Sequence, residues 1–145
     1  MNKRLSLLAF ATLTFLAVYP NPAQADPGEH HEQTLKPGSN EMLRAPLSFA
    51  DDIEVIVSDV IMPPNATIPR HFHPGEEFIY LIEGSVVNVV EGLPDTLMTA
   101  GDTFVMPPGV VHAPYATNEG ARAIVFRVHV EGRPERYLVE ESVPK

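Results

Sequence analysis

The stretch "PRHFHPGEEFIYLIEGS", residues 69–85, sets two histidines two positions apart and a glutamate four positions after the second. Its second half, "EFIYLIEG", is rich in β-branched and aromatic residues and reads as a strand. In a strand, side chains alternate between faces, so residues at i and i+2 look the same way. His71 and His73 therefore share a face, with Glu77 close behind them. A chain with only six histidines has placed two where they converge. The pattern points to a metal site that needs a further histidine from elsewhere in the chain.

The remaining sequence repeats the strand signal. Short apolar runs follow one another between Gly and Pro: residues 53–62 ("IEVIVSDVIM"), 77–84, 85–92 ("SVVNVVEG"), 95–102, 103–109, 111–117, 121–131 ("ARAIVFRVHVE") and 136–140. None after residue 25 holds a helical period over three turns. Many short strands separated by turn signals predict an all-β sandwich or barrel. Glu83-Gly84, Glu91-Gly92, Pro107-Pro108-Gly109 and Asn118-Glu119-Gly120 supply the expected reversals.

The first 25 residues read differently. A basic start (Lys3, Arg4), an apolar run over 5–19 and a small-x-small site at Ala23-Gln24-Ala25 describe a secretory signal peptide cleaved after Ala25. The run is shorter than the roughly 18–20 residues of a membrane-spanning helix. Residues 26–44 are polar and rich in turn formers, and are expected to form a flexible leader in which His30 and His31 are solvated. Residues 45–145 are then the barrel domain. The protein is expected in the periplasm or secreted. Beyond the signal segment, eight basic residues face 19 acidic ones, a formal charge of −11. Such a surface repels phosphate backbones and anionic lipids, so neither nucleic acid nor membrane is an expected partner. With no cysteine, disulfides and thiolate chemistry are excluded.

The missing histidine comes from "AGDTFVMPPGVVHAPYATN", where a strand, a Pro-Gly reversal and a returning strand carry His112 back toward His71 and His73. Here the chain resembles the cupin superfamily, whose two motifs are written G(X)5HXH(X)3-4E(X)6G and G(X)5PXG(X)2H(X)3N. His71, His73, Glu77 and Gly84 match the first, and Gly101, Pro107, Gly109 and His112 match the second. Asn65 stands in place of the first motif's opening Gly, and Ala116 in place of the second motif's closing Asn.

The resemblance implies a single antiparallel jelly-roll β-barrel with His71, His73, Glu77 and His112 as metal ligands, and a homodimer. Imidazole nitrogens with a carboxylate suit a divalent first-row ion, whether Fe, Mn, Ni, Cu or Zn. Four protein ligands leave one or two positions of a five- or six-coordinate ion open. Structural zinc sites, by contrast, are closed. The leading functional expectation is a metal-dependent oxidoreductase of dioxygenase type acting on a small aromatic or enolic substrate. The alternatives are a metal-dependent lyase, isomerase or decarboxylase, and a non-catalytic small-ligand or metal-binding module of the cell envelope. No catalytic residue beyond the ligands is assigned. Glu76 reads as a solvated turn residue, though it and Tyr115 are the available acid–base candidates. Ile79 and Leu81 are expected to wall the pocket, with Phe104, Met106 and Tyr115 as further lining candidates. Phe72 is read as packing on the opposite face, and His129 as a surface or interface residue.

Overall fold

The computed structural model describes residues 34–140; the expected signal segment, His30 and His31 lie outside them. Eight strands follow in order: β1 (Gly38–Pro46), β2 (Ile53–Met62), β3 (His71–Phe72), β4 (Glu76–Asn88), β5 (Thr96–Thr99), β6 (Thr103–Met106), β7 (Tyr115–Val130) and β8 (Tyr137–Leu138). The larger sheet runs β1-β2-β7-β4-β5, with β6 also pairing β4, and β3 pairs β8 in a second sheet. Every pairing is antiparallel. This is the all-β arrangement that the run of short apolar segments predicts, in the antiparallel form that the resemblance implies.

Two expected reversals are bends inside long strands. The sequence pattern predicts separate strands over 77–84 and 85–92, yet β4 runs through Gly84; likewise β7 runs through Asn118–Gly120. The register between β4 and β7 shifts at Leu81/Glu83 and again at Gly84/Val86. Gly84 (φ 69°) and Gly120 (φ 74°) both lie in the left-handed region, and a Cβ on Gly84 would come 2.1 Å from the Gly120 carbonyl oxygen. Glycine thus lets the two strands bend together while staying paired, as at a β-bulge. The bend turns the far half of β4 so that Val86 and Asn88 face the same interior as Glu77, Ile79 and Leu81.

Among the described residues, strand structure starts before Ala45. Gly38–Pro46 pairs with Glu54–Ile61 as an edge strand, overlapping the end of the segment expected to be a flexible leader. Most of its side chains are exposed, so it lacks the apolar alternation by which a strand is recognised. Backbone pairing to β2 holds it, helped by Arg44 on Glu54 (2.6 Å) and by Asn40 donating to the Asp59 carbonyl (3.0 Å).

Buried Val60, Met62, Leu81, Val86, Met98, Ala116, Ala121, Ala123 and Val125 form the core cluster, with Phe104 packed against it. Ala116, one of the two departures from the motifs, is 1% exposed and fills this core. The other, Asn65, has φ 61°. Asparagine is among the few side chains that enter this region readily, so it does what the motif's glycine would do.

Candidate metal centre

Backbone pairing builds the site before any side chain is considered. The His71 amide donates to the His112 carbonyl (3.0 Å) and the His112 amide to the His71 carbonyl (2.9 Å). The Gly109 amide donates to the His73 carbonyl (2.9 Å), so the Pro-Gly reversal is fastened to the first motif. Gly75 allows β4 to start hard against β7, since a Cβ there would lie 1.9 Å from the Val128 carbonyl oxygen. That approach sets Glu77 opposite Arg127.

The three imidazoles converge. All are buried, and one ring nitrogen from each of His71, His73 and His112 lies within 4.8 Å of the others. Each Nδ1 meets a backbone carbonyl: Pro69 for His71 (2.7 Å), Glu135 for His73 (2.5 Å) and Val110 for His112 (3.0 Å). A carbonyl only accepts, so each Nδ1 carries the proton and each Nε2 presents its lone pair to the centre. His73 Nε2 is buried without a hydrogen-bond partner among the described residues. Glu77 completes the group, with Oε2 3.5 Å from His73 Nε2 and 3.6 Å from His112 Nε2. Its Oε1 accepts an ion-paired contact from Arg127 Nη2 at 2.9 Å.

The protonation states suit metal binding. Burial, aided by the neighbouring His112, holds His71 down to about 4, and burial also lowers His73. Burial works to raise Glu77, but the contacts with His112 and Arg127 outweigh it and hold the carboxyl at about 2. At neutral pH His71 and His73 are thus neutral imidazoles beside a carboxylate, which is the form a divalent cation requires. Three convergent lone pairs, one of them unpartnered and buried, and an adjacent carboxylate fit such an ion.

The site opens into a cavity of about 350 Å³, within the range of small-molecule pockets. Ile79 and Leu81 wall it as expected, but Phe104, Met106 and Tyr115 do not line it. Met106 is fully buried elsewhere and Tyr115 is 38% exposed. Glu76 is exposed at the start of β4. Phe72 stacks on Tyr137 with ring centroids 5.1 Å apart, on the face away from the histidines. His129 is not a surface residue: it is 3% exposed, with Nε2 3.5 Å from Glu54 Oε1.

Two contributors were not foreseen. Arg127 neutralises Glu77 and also donates to Ser58 Oγ at 3.2 Å. The turn at Glu135, beside β8, supplies the carbonyl that orients His73. Arg127 sits in the run "ARAIVFRVHVE", where its inward neighbours are Ala121, Ala123, Val125 and His129. The outward positions, Ile124, Phe126, Val128 and Val130, are the more apolar, so periodicity alone selects the wrong face.

The family profile described as "Cupin domain" matches residues 58–131. A 3-hydroxyanthranilate 3,4-dioxygenase of Jannaschia sp. is 31% identical over 111 residues, covering 74% of this chain and 56% of the relative. The chain thus spans about half the length of that relative. Among solved structures, a double-stranded β-helix protein of Klebsiella pneumoniae superposes with a TM-score of 0.54 at 23% identity, over 81% of this chain and 90% of the other. A DMSP lyase of Ruegeria pomeroyi gives a TM-score of 0.51 at 25% identity, over 61% and 44%.

Proposed function

The chain belongs to the cupin-domain family, and from that premise we propose a metal-dependent oxidoreductase of dioxygenase type, acting on a small aromatic or enolic substrate. The observation that carries this reading is the convergence of three carbonyl-oriented histidines at an apolar cavity. His71, His73, His112 and Glu77 would hold one divalent first-row ion. Such an ion would polarise a substrate oxygen and bring dioxygen beside it. The protein's own part is to bind, orient and exclude water. Ile79, Leu81 and Val125 supply a dry wall for a flat apolar body, while Arg127 keeps Glu77 ionised and fixed. Among the described residues, the titratable groups lining the cavity are the three histidines, Glu77, Arg127 and Arg136. Beyond the histidines and Glu77, no separate acid or base among the described residues lines the cavity, which favours chemistry carried by the ion and its substrate. The name of the Jannaschia relative supports the same direction.

Oxygen uptake tests the reading. Protein loaded in turn with Fe, Mn, Ni, Cu or Zn is supplied with catechols, flavonols and enediols, and uptake in step with substrate loss is expected for at least one pairing. Binding without turnover in every case would replace the enzyme with a ligand-binding module. A Lewis-acid lyase is the second reading, favoured by the likeness to the DMSP lyase. It would consume substrate without oxygen.

The same proposal includes export with loss of residues 1–25 and a paired assembly. Pairing is supported by an apolar row on the outer sheet face. Val105 (50% exposed), Phe78 (39%) and Phe126 (43%) lie side by side across β6, β4 and β7.

A further inference from the structure

Asn88 is a buried polar side chain that the metal centre does not use. It is 3% exposed, lines the cavity, and its Nδ2 has no hydrogen-bond partner among the described residues. Val86 and Met98 beside it on the cavity wall are apolar, and Thr96, opposite it in the register, turns its hydroxyl to the Pro94 carbonyl (3.3 Å) instead. Strand register places it near the histidines. Val86 pairs with Ala116 and Val87 with Tyr115, and the Val90–His112 bridge continues that alignment. Asn88 therefore stands opposite Pro114, which has no amide hydrogen and also lines the cavity, one inward-facing step from His112. An amide donor left bare in an apolar wall destabilises the fold, and such groups call for a specific partner.

We propose that Asn88 is a specificity-determining residue whose side-chain amide turns about its last torsion, bringing Nδ2 from its buried position to donate a hydrogen bond to an oxygen acceptor carried by the substrate beside its metal-binding oxygens. The inference rests on the reading of this cavity as a substrate site. The substrate it selects has a flat apolar body, oxygens for the ion, and a carbonyl or carboxylate oxygen facing the β4 wall. A site built to donate to such a group rejects the analogue lacking it more strongly than an apolar wall could.

The test uses full-length zinc-loaded protein and three probes, catechol, 3,4-dihydroxyacetophenone and 3,4-dihydroxybenzoate, with Kd read by calorimetry. The acyl and carboxylate groups also acidify the ring hydroxyls, so the quantity read is how the wild-type preference over catechol changes in variants. Asn88→Leu should reduce that preference about 10-fold, the worth of one hydrogen bond, and leave the Kd for catechol unchanged. Asn88→Asp should weaken the carboxylate probe more than the acetyl probe by charge repulsion, which separates the two sources of the acceptor. Asn88→Leu should also unfold at a temperature no lower than wild type, since it removes an unpaired donor. The proposal is overturned if both variants keep the wild-type preference, or if both unfold at a lower temperature and lose catechol equally. If no probe binds wild type, the reading of the cavity as a substrate site falls as well.

Discussion

Replacing Arg127 by Met should cost the metal-free protein about 3 kcal/mol at pH 7. Met keeps much of the apolar stem and removes the cation that faces Glu77 at 2.9 Å. A buried carboxylate left alone is costly, and truncating one partner of such a pair typically costs about 3–5 kcal/mol. Neutralisation limits the loss. Glu77 can take up a proton, and relative to its ordinary value of 4.5 that costs about 3 kcal/mol at pH 7. The folded variant then holds a carboxyl raised above its unfolded value. Stability contributed by a raised group is fully present below the unfolded value and is lost as pH climbs. The deficit against wild type should therefore shrink to about 1 kcal/mol at pH 5. Urea denaturation of chelator-treated wild type and Arg127→Met at pH 5, 6 and 7 measures it. A deficit under 1 kcal/mol at pH 7, or one that does not change with pH, would refute the argument that Arg127 compensates a buried Glu77.

The metal-free protein should lose stability on acidification in two stages. His71 is held at about 4 against an unfolded 6.5, so the unfolded chain binds more protons in that window and stability falls as pH drops through it; Glu77, at about 2 against 4.5, adds a second loss below it. Denaturation midpoints that stay flat from pH 7 to 4 would contradict this. Gly84→Ala should destabilise by at least about 2 kcal/mol, because it combines a left-handed φ with a backbone contact at 2.1 Å, and thermal unfolding reads it. Wild type should sediment as a dimer and Phe126→Glu as a monomer; identical sedimentation of the two would remove the apolar sheet face from the assembly.

The cluster of three histidines was legible because strand alternation and short reversals are local, and because the motif resemblance joined the two segments that carry them. His71 and His73 needed only the alternation of extended chain that starts in β3 and continues past its end, and His112 needed the Pro107–Gly109 turn together with the second motif. What stayed hidden depended on distant partners. Arg127 and His129 are charged or polar residues among alternating apolar ones, a pattern that reads as a solvent face; they turn inward because Glu77 and Glu54 lie opposite. β1 carried no apolar alternation, since pairing with β2 and polar contacts to distant residues define it. Gly84 and Gly120 look like turn residues singly, and only their mutual approach across two strands makes them a shared bend.

Equilibrium dialysis followed by elemental analysis, on wild type and His73→Ala, tests the central claim most directly. The three Nε2 lone pairs and Glu77 should retain one divalent ion per chain in wild type. Loss of His73, whose Nε2 has no partner among the described residues, should remove most of it while the fold persists. Equal metal content in the two proteins, or none in wild type, would contradict the account.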